Sequence, residues 1–532
     1  MQPPAGPASR ARPVALLALC LTLCALLVAA CTIGPSRRAP LATSGTRPPA
    51  DGAPSSSSSM PLGPGGPGRT ADPIQWSRCP ADVDDTGPDG STFEVDCAGV
   101  PVPVSYADPN QGSFALRVAR ARTPGTPADA PPLVVLLGDP GQYGRSRVAA
   151  VASLLPTEIR EHFAVITVDL RGTGFSSGID CLSDATTRAI VGMAADPTSP
   201  AGSSQLEAIA RQLTFDCGDL VGPSLSAFNS TNAADDLDTL RAALGDSGIR
   251  LLARGYGATI GAVYADRYPG RVAAMVLDSP TDPLATPDQQ AGSSAKAAES
   301  LLKDFAAACP GFDGGCPLGD DPAGTVTALV RNLASSGDGA GRWTITGGSV
   351  LMALLQLLPD QSSWPALAGA LADLGEHNAR PLADLLTAAL GGSDLPERLA
   401  GRLVYRCNDT AQRLGSKQIA AAVAGARSEA PLFGPFTLAL AGLCAAWPAP
   451  EAALGRVTAS GARPLLVVGS VKNPLHPYTG VQSVAGQLAS AVLVSWQSGT
   501  DGAYPNSACV TGTVDGYLLH DTVPAMGILC PP

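Results

Sequence analysis

Leu251-Leu252-Ala253-Arg254-Gly255-Tyr256-Gly257-Ala258-Thr259 is a short apolar run that breaks at a glycine and continues in small residues. A run of this length suits a strand buried on both faces, and the turn at Gly255 reverses the chain directly into a helix over 258–268. Apolar runs at 133–137, 164–168, 250–253, 273–277, 465–468 and 491–496 likewise end in polar or glycine turns. Helical patterns separate them. Leu237, Leu240 and Leu244 form one stripe over 232–244, and a further helical stretch at 481–488 follows the run at 465–468. This alternation predicts an α/β fold with a doubly wound, mostly parallel sheet.

Between Pro283 and Ala459 the alternation stops. Ala/Leu-rich stretches at 291–308, 323–334, 350–358, 364–374 and 381–390 take over, as expected of an inserted helical lid. A lid above the carboxyl edge of a parallel sheet would shape a pocket where such sheets bind ligands.

The amino terminus has the layout of an export signal: Arg10 and Arg12, an apolar run over 14–30, and small residues before Cys31. Val28-Ala29-Ala30-Cys31 resembles a bacterial lipobox, so lipidation at Cys31 is expected, with an ordinary cleaved signal or an uncleaved anchor as alternatives. The apolar run falls short of the about 20 residues of a spanning helix. Residues after Cys31 are Pro, Gly, Ser and Ala with a serine run at 55–59, too poor in large apolar side chains to fold. As a flexible tether this segment would span roughly 35 Å. The predicted organisation is a lipoprotein signal over 1–30, lipidated Cys31 and tether over 31–72, core over 73–283, lid over 284–459 and core again over 460–532.

A net charge of −11 with four lysines argues against a nucleic-acid partner. No C-x-x-C pair and no His-rich cluster occurs, so neither a metal nor another cofactor is expected. Of the 13 cysteines, Cys20 and Cys24 fall in the signal and Cys31 takes the lipid. The remaining ten are even in number, as an exported disulfide frame requires.

Several motifs, taken in order, carry a resemblance. They are Trp76-x-x-Cys79, Cys97-Ala98 and Val100-Pro101-Val102-Pro103, then Gly138-Asp139-Pro140-Gly141, then Asp169-Leu170-Arg171-Gly172-Thr173-Gly174-Phe175-Ser176. Asp236-Leu237-Asp238-Thr239-Leu240-Arg241, Tyr264-Ala265-Asp266-Arg267-Tyr268-Pro269 and Leu277-Asp278-Ser279-Pro280 follow, and Ser507-x-Cys509-Val510 with Tyr517-Leu518 closes the set. Together they resemble the tripeptidyl-aminopeptidase-like branch of the α/β-hydrolases, exported actinobacterial peptidases related to proline iminopeptidases. The resemblance implies an α/β-hydrolase fold and, with the sequence neighbours, the pairs Cys79–Cys97, Cys181–Cys217, Cys309–Cys316, Cys407–Cys444 and Cys509–Cys530.

It also implies a nucleophile, acid and base in the order Ser, Asp, His. Here the serine of the G-x-S-x-G elbow is replaced by Gly255. The acid turn G-x-x-x-D-P reads Gly469-Ser470-Val471-Lys472-Asn473-Pro474, and the G-H-G turn of the base reads Gly499-Thr500-Asp501-Gly502. Glycine cannot attack, asparagine cannot stabilise an imidazolium, and a carboxylate with a pKa near ~3.9 is a weak base at neutral pH. Glycine would also relieve the backbone strain of the elbow, about 1–3 kcal/mol for a residue with a side chain. In the oxyanion loop Asp139 stands beside Gly138, either opposing a developing oxyanion or pointing to solvent, while the backbone N–H of Tyr256 could still donate.

Four histidines remain: His162, His377, His476 and His520. His476 lies three residues after Asn473, so it either forms a swapped acid–base pair with Asp501 or makes a local loop hydrogen bond. Tyr256 and Thr259 flank the elbow with no evident activating partner, and Ser176 belongs to the 169–176 loop, whose glycines and Arg171 are expected mainly to serve turn geometry. The expectation is a catalytically silent, envelope-anchored or secreted protein that binds a peptide or envelope ligand or docks on an active relative. The alternatives are a hydrolase with a rewired site and a purely structural envelope protein.

Overall fold

The computed structural model describes residues 71–333, 337–341, 343–450 and 453–532. The expected signal, Cys31 and nearly all of the tether lie outside the described residues. Ten strands form one sheet: β1 (Ser77–Arg78), β2 (Glu94–Pro103), β3 (Ser113–Arg122), β4 (Pro132–Leu136), β5 (Ala164–Val168), β6 (Ile249–Arg254), β7 (Val272–Asp278), β10 (Leu465–Ser470), β11 (Ala491–Trp496) and β12 (Ile528–Cys530). β8 (Asp338–Ala340) and β9 (Trp343–Ile345) pair separately as an antiparallel hairpin.

The sheet order is β1-β2-β3-β5-β4-β6-β7-β10-β11-β12. Pairings from β5 to β12 are parallel, and β1, β2 and β3 add an antiparallel edge. Period-two alternation divides the core between the two faces. In β10, Leu465 and Val467 join one cluster and Leu466 and Val468 the other; in β6, Leu251 and Ala253 oppose Leu252. Both faces are covered, which is why these strands read as continuous apolar runs.

The six predicted runs are all strands here. β2 was hidden by Pro101 and Pro103, which lack the N–H a central strand needs. They are tolerated because β1 pairs only with Asp96 and Cys97, leaving the proline end of β2 at an edge.

Between β7 and β10 the chain forms the helices Pro287–Ala308, Pro322–Asn332, Gly347–Leu357, Trp364–Gly375, Arg380–Ala389, Leu395–Asp409, Ser416–Glu429 and Phe433–Ala441. The expectation of helix alone in this segment is corrected by the β8–β9 hairpin. Three-residue strands are too short to stand out against the Ala/Leu pattern. No described helix is long and apolar enough to cross a membrane.

The helix Leu395–Asp409 is fixed onto the sheet by close backbone approach and hydrogen bonds. Gly141 has φ +100°, and a Cβ there would stand 2.6 Å from the backbone of Arg398. Tyr405 Oη donates to the Arg171 carbonyl (2.9 Å) and Tyr143 Oη to Glu397 Oε2 (2.6 Å). Arg171 does more than shape the turn of the 169–176 loop. It is also buried, donating from Nε to Asp236 Oδ2 (2.7 Å) and from Nη1 to Val104 O (2.8 Å). All five expected disulfides form, and Cys407–Cys444 ties the carboxyl end of the same helix to the turn at Gly442–Cys444.

Candidate functional site

The loops that follow β4, β6, β10 and β11 converge at the carboxyl edge of the parallel strands, where an open α/β sheet binds its ligands. Gly255 takes φ 57° and ψ −127°, a conformation suited to a residue without Cβ. Its N–H donates to Asp278 O (2.8 Å), and the N–H of Gly257 donates to Gly138 O (3.0 Å), which locks the strand-to-helix turn against the β4 loop. Tyr256 opens the helix Tyr256–Arg267, so its N–H has no intrahelical acceptor.

The place a side chain would occupy on Gly255 is already filled. A Cβ there would stand 2.6 Å from His476 Nε2, 2.9 Å from Cε1 and 3.2 Å from Cδ2. His476 is buried, and its backbone N–H donates to Asn473 Oδ1 (3.2 Å). Asn473 in turn donates from Nδ2 to Asp501 Oδ1 (2.8 Å). The acid and base positions are therefore in contact, but as an amide donating to a carboxylate.

His476 Nε2 lies 3.9 Å from Asp501 Oδ1 and 4.0 Å from Asp139 Oδ1, too far for a direct hydrogen bond to either. The swapped His476–Asp501 pair is thus close but unmade, while the local loop hydrogen bond is formed. Burial would raise the Asp501 carboxyl, yet attraction from His476 and Arg254, with the Asn473 amide, holds it below its ordinary range. Arg254 Nη2 lies 3.6 Å from Asp501 Oδ2.

Asp139 does not point to solvent. Its Oδ2 is 3.1 Å from Arg402 Nε, and its side chain lines a cavity of about 340 Å³ beneath the helices between β7 and β10. The cavity surface is mostly apolar, and its polar contributors include Tyr256, Asp282, Arg402, Arg406 and His476.

The hydroxyls considered as replacement nucleophiles are committed elsewhere. Ser176 Oγ accepts from the Arg117 N–H (2.7 Å), and Thr259 Oγ1 accepts from the Thr281 N–H (2.9 Å). Tyr256 Oη donates to Asp409 Oδ2 (2.6 Å), which also accepts from Ser230 Oγ (2.7 Å). Burial pushes the Asp409 carboxyl up to about 6 and, together with Asp409 itself, keeps the Tyr256 phenol protonated. The other histidines stand apart: His162 lies edge-on to Phe163, His377 is exposed beside Asp338, and His520 ends the helix Ala508–His520.

Asp409, Arg402 and Arg406 were absent from the sequence reading. A signal existed: Arg398, Arg402 and Arg406 recur every fourth residue, which places them on one face of the helix Leu395–Asp409.

A family model described as alpha/beta hydrolase fold matches residues 131–335, and one described as TAP-like protein matches residues 430–530. Carboxylesterase B of Mycobacterium tuberculosis is 30% identical over 480 residues, covering 86% of this chain and 90% of that protein. The chain belongs to the TAP-like α/β-hydrolases. Serine protease Hip1 of Mycobacterium tuberculosis is 29% identical over 481 residues, covering 86% of this chain and 91% of that protein. Tripeptidyl aminopeptidase of Streptomyces lividans is 26% identical over 480 residues, with 86% and 87% covered. In this TAP-like chain the elbow, the β10 loop and the β11 loop meet, yet Gly255, Asn473 and Asp501 occupy them and His476 fills the space between.

Proposed function

We propose that this chain is an exported lipoprotein, anchored through Cys31, that keeps the TAP-like hydrolase scaffold without its chemistry. It captures a peptide or cell-envelope ligand in the cavity under its helices, or docks on an active relative. The observation that carries this reading is the His476 imidazole, standing 2.6 Å from where a nucleophile's Cβ would be. A serine substituted at 255 would have no room for its hydroxyl while that ring is in place. Loss of a serine-type triad costs on the order of 10⁶ in turnover, leaving only oxyanion stabilisation and binding. Export is supported by the signal-like residues 1–30 and by the five disulfides.

The test is hydrolysis of a broad panel of aminopeptidyl and ester fluorogenic substrates. The natural protein should be silent. The Gly255→Ser, Asn473→Asp, Asp501→His triple variant should stay silent too, and gain turnover only when His476→Gly is added. Turnover by the natural protein would overturn the proposal.

One geometric feature favours a second reading, a hydrolase with a rewired site: His476 Nε2 lies within 4.0 Å of carboxylate oxygens of both Asp139 and Asp501. Any turnover of the natural protein that survives in the His476→Ala, Asp501→Ala variant would remove this reading.

A further inference from the structure

The charged groups lining the cavity are unevenly matched. Asp139 is engaged by Arg402 at 3.1 Å, and Asp282 Oδ1 accepts from the Leu284 N–H and Gln487 Nε2, both at 2.9 Å. Arg406 also lines the cavity, and among the described residues it makes no hydrogen bond and no ion pair. It lies four residues after Arg402 on the helix Leu395–Asp409, so the two guanidinium groups share a face and repel. Ile190, Val191, Met352, Leu355, Leu403 and Leu443 supply apolar wall around them. Arg406 is partly buried, burial and the neighbouring Arg402 disfavour its charge, and the carboxylate that attracts it, Asp139, is already engaged by Arg402. Arginine nevertheless stays charged at any physiological pH, so the site is short of a counter-charge. That shortage is relieved when an anion enters.

We infer that the cavity binds an amphipathic monoanion, a carboxylate on an apolar chain, with Arg406 clamping the head group and the leucine-rich wall taking the chain. The planar guanidinium fork matches a carboxylate with two parallel hydrogen bonds. Asp139 and Asp282 lie on the same wall and oppose a second negative charge, which favours a carboxylate over a doubly charged phosphate monoester. The inference deepens the ligand-capture proposal and rests on it for biological meaning, but the clamp is tested separately from catalysis.

The experiment is calorimetric titration of the full chain with decanoate, decanol and decylammonium, repeated with Arg406→Met. Decanoate should bind about tenfold or more tighter than decanol, the size of one charge-assisted hydrogen bond, and decylammonium should not bind. Arg406→Met should lose that advantage, leave decanol affinity unchanged, and unfold at the same or a higher temperature without ligand because an uncompensated charge is gone. Equal binding of decanoate and decanol by the natural protein overturns the clamp while leaving ligand capture standing. Binding of neither overturns the clamp as well. Turnover of a fluorogenic substrate with tight decanoate binding would overturn the silent-enzyme proposal and leave the clamp intact. Should Arg406→Met fail to fold, the comparison of decanoate with decanol in the natural protein still decides.

Discussion

Substituting Gly255 by alanine adds one methyl group at the point where the elbow meets His476. Two independent effects follow. The backbone at 255 has φ +57°, where a residue with a Cβ stores about 1–3 kcal/mol of strain. The new Cβ would also stand 2.6 Å from Nε2 and 2.9 Å from Cε1 of a buried ring. The residue cannot simply slide away, because its backbone N–H is held by Asn473 Oδ1 and the Asn473 side chain by Asp501, so relief requires the buried ring itself to rotate against its neighbours. Overpacking of this kind costs about 1–3 kcal/mol. Gly255→Ala should therefore destabilise by roughly 2–6 kcal/mol, a large share of the 5–15 kcal/mol typical of a folded domain.

The double-mutant cycle with His476→Ala separates the two effects. Removing the imidazole abolishes the overlap but leaves the strain, so the double variant should be about 1–3 kcal/mol more stable than the sum of the single effects. Urea unfolding of the four proteins, followed by tryptophan fluorescence with the disulfides intact, measures this coupling. Additivity within about 0.5 kcal/mol would refute the claim that His476 occupies the nucleophile's space.

Three further outcomes are expected. Burial raises the Asp409 carboxyl from its ordinary 3.8 to about 6, so its contribution to stability is fully present below pH 4 and lost as pH rises through 6. At roughly 1.4 kcal/mol per pH unit this amounts to about 3 kcal/mol. Asp409→Asn should flatten the stability profile over pH 4–6, and profiles parallel to the natural protein would count against it. Arg171→Met leaves the buried Asp236 without its cation and should cost about 3–5 kcal/mol in urea unfolding; a loss below about 1 kcal/mol would show the pair is not an anchor. Replacing Cys407 and Cys444 by alanine opens a loop of sequence separation 37 and should cost about 3–4 kcal/mol, whereas unchanged unfolding would show that the helix Leu395–Asp409 is held without the bridge.

The sheet was legible because its parallel strands, covered on both faces, appear as apolar runs such as 465–468 and 164–168, and local composition is enough to mark them. β2 was not, since Pro101 and Pro103 argue against a strand unless the chain is known to leave that end unpaired. The helices between β7 and β10 followed from Ala/Leu periodicity, and the β8–β9 hairpin escaped because three residues carry no period. The candidate site divides in the same way. Gly255, Asn473 and Asp501 each follow a strand end, so their positions can be read along the chain, and their chemistry follows from residue type alone.

The sequence alone therefore determined the fold class, the disulfide frame expected by family pattern, and the absence of serine, aspartate and histidine at the expected turns. Only the tertiary structure decided what fills the elbow and what charges the cavity. His476 at Gly255, Asp139 at Arg402, Tyr256 at Asp409 and the unpartnered Arg406 depend on how loops at the sheet edge meet a helix far along the chain, with Tyr256 and Asp409 separated by 153 positions. Composition and period report which face of an element is buried. They carry no information about which side chain of a distant element arrives there, because that is set by the packing of the whole domain.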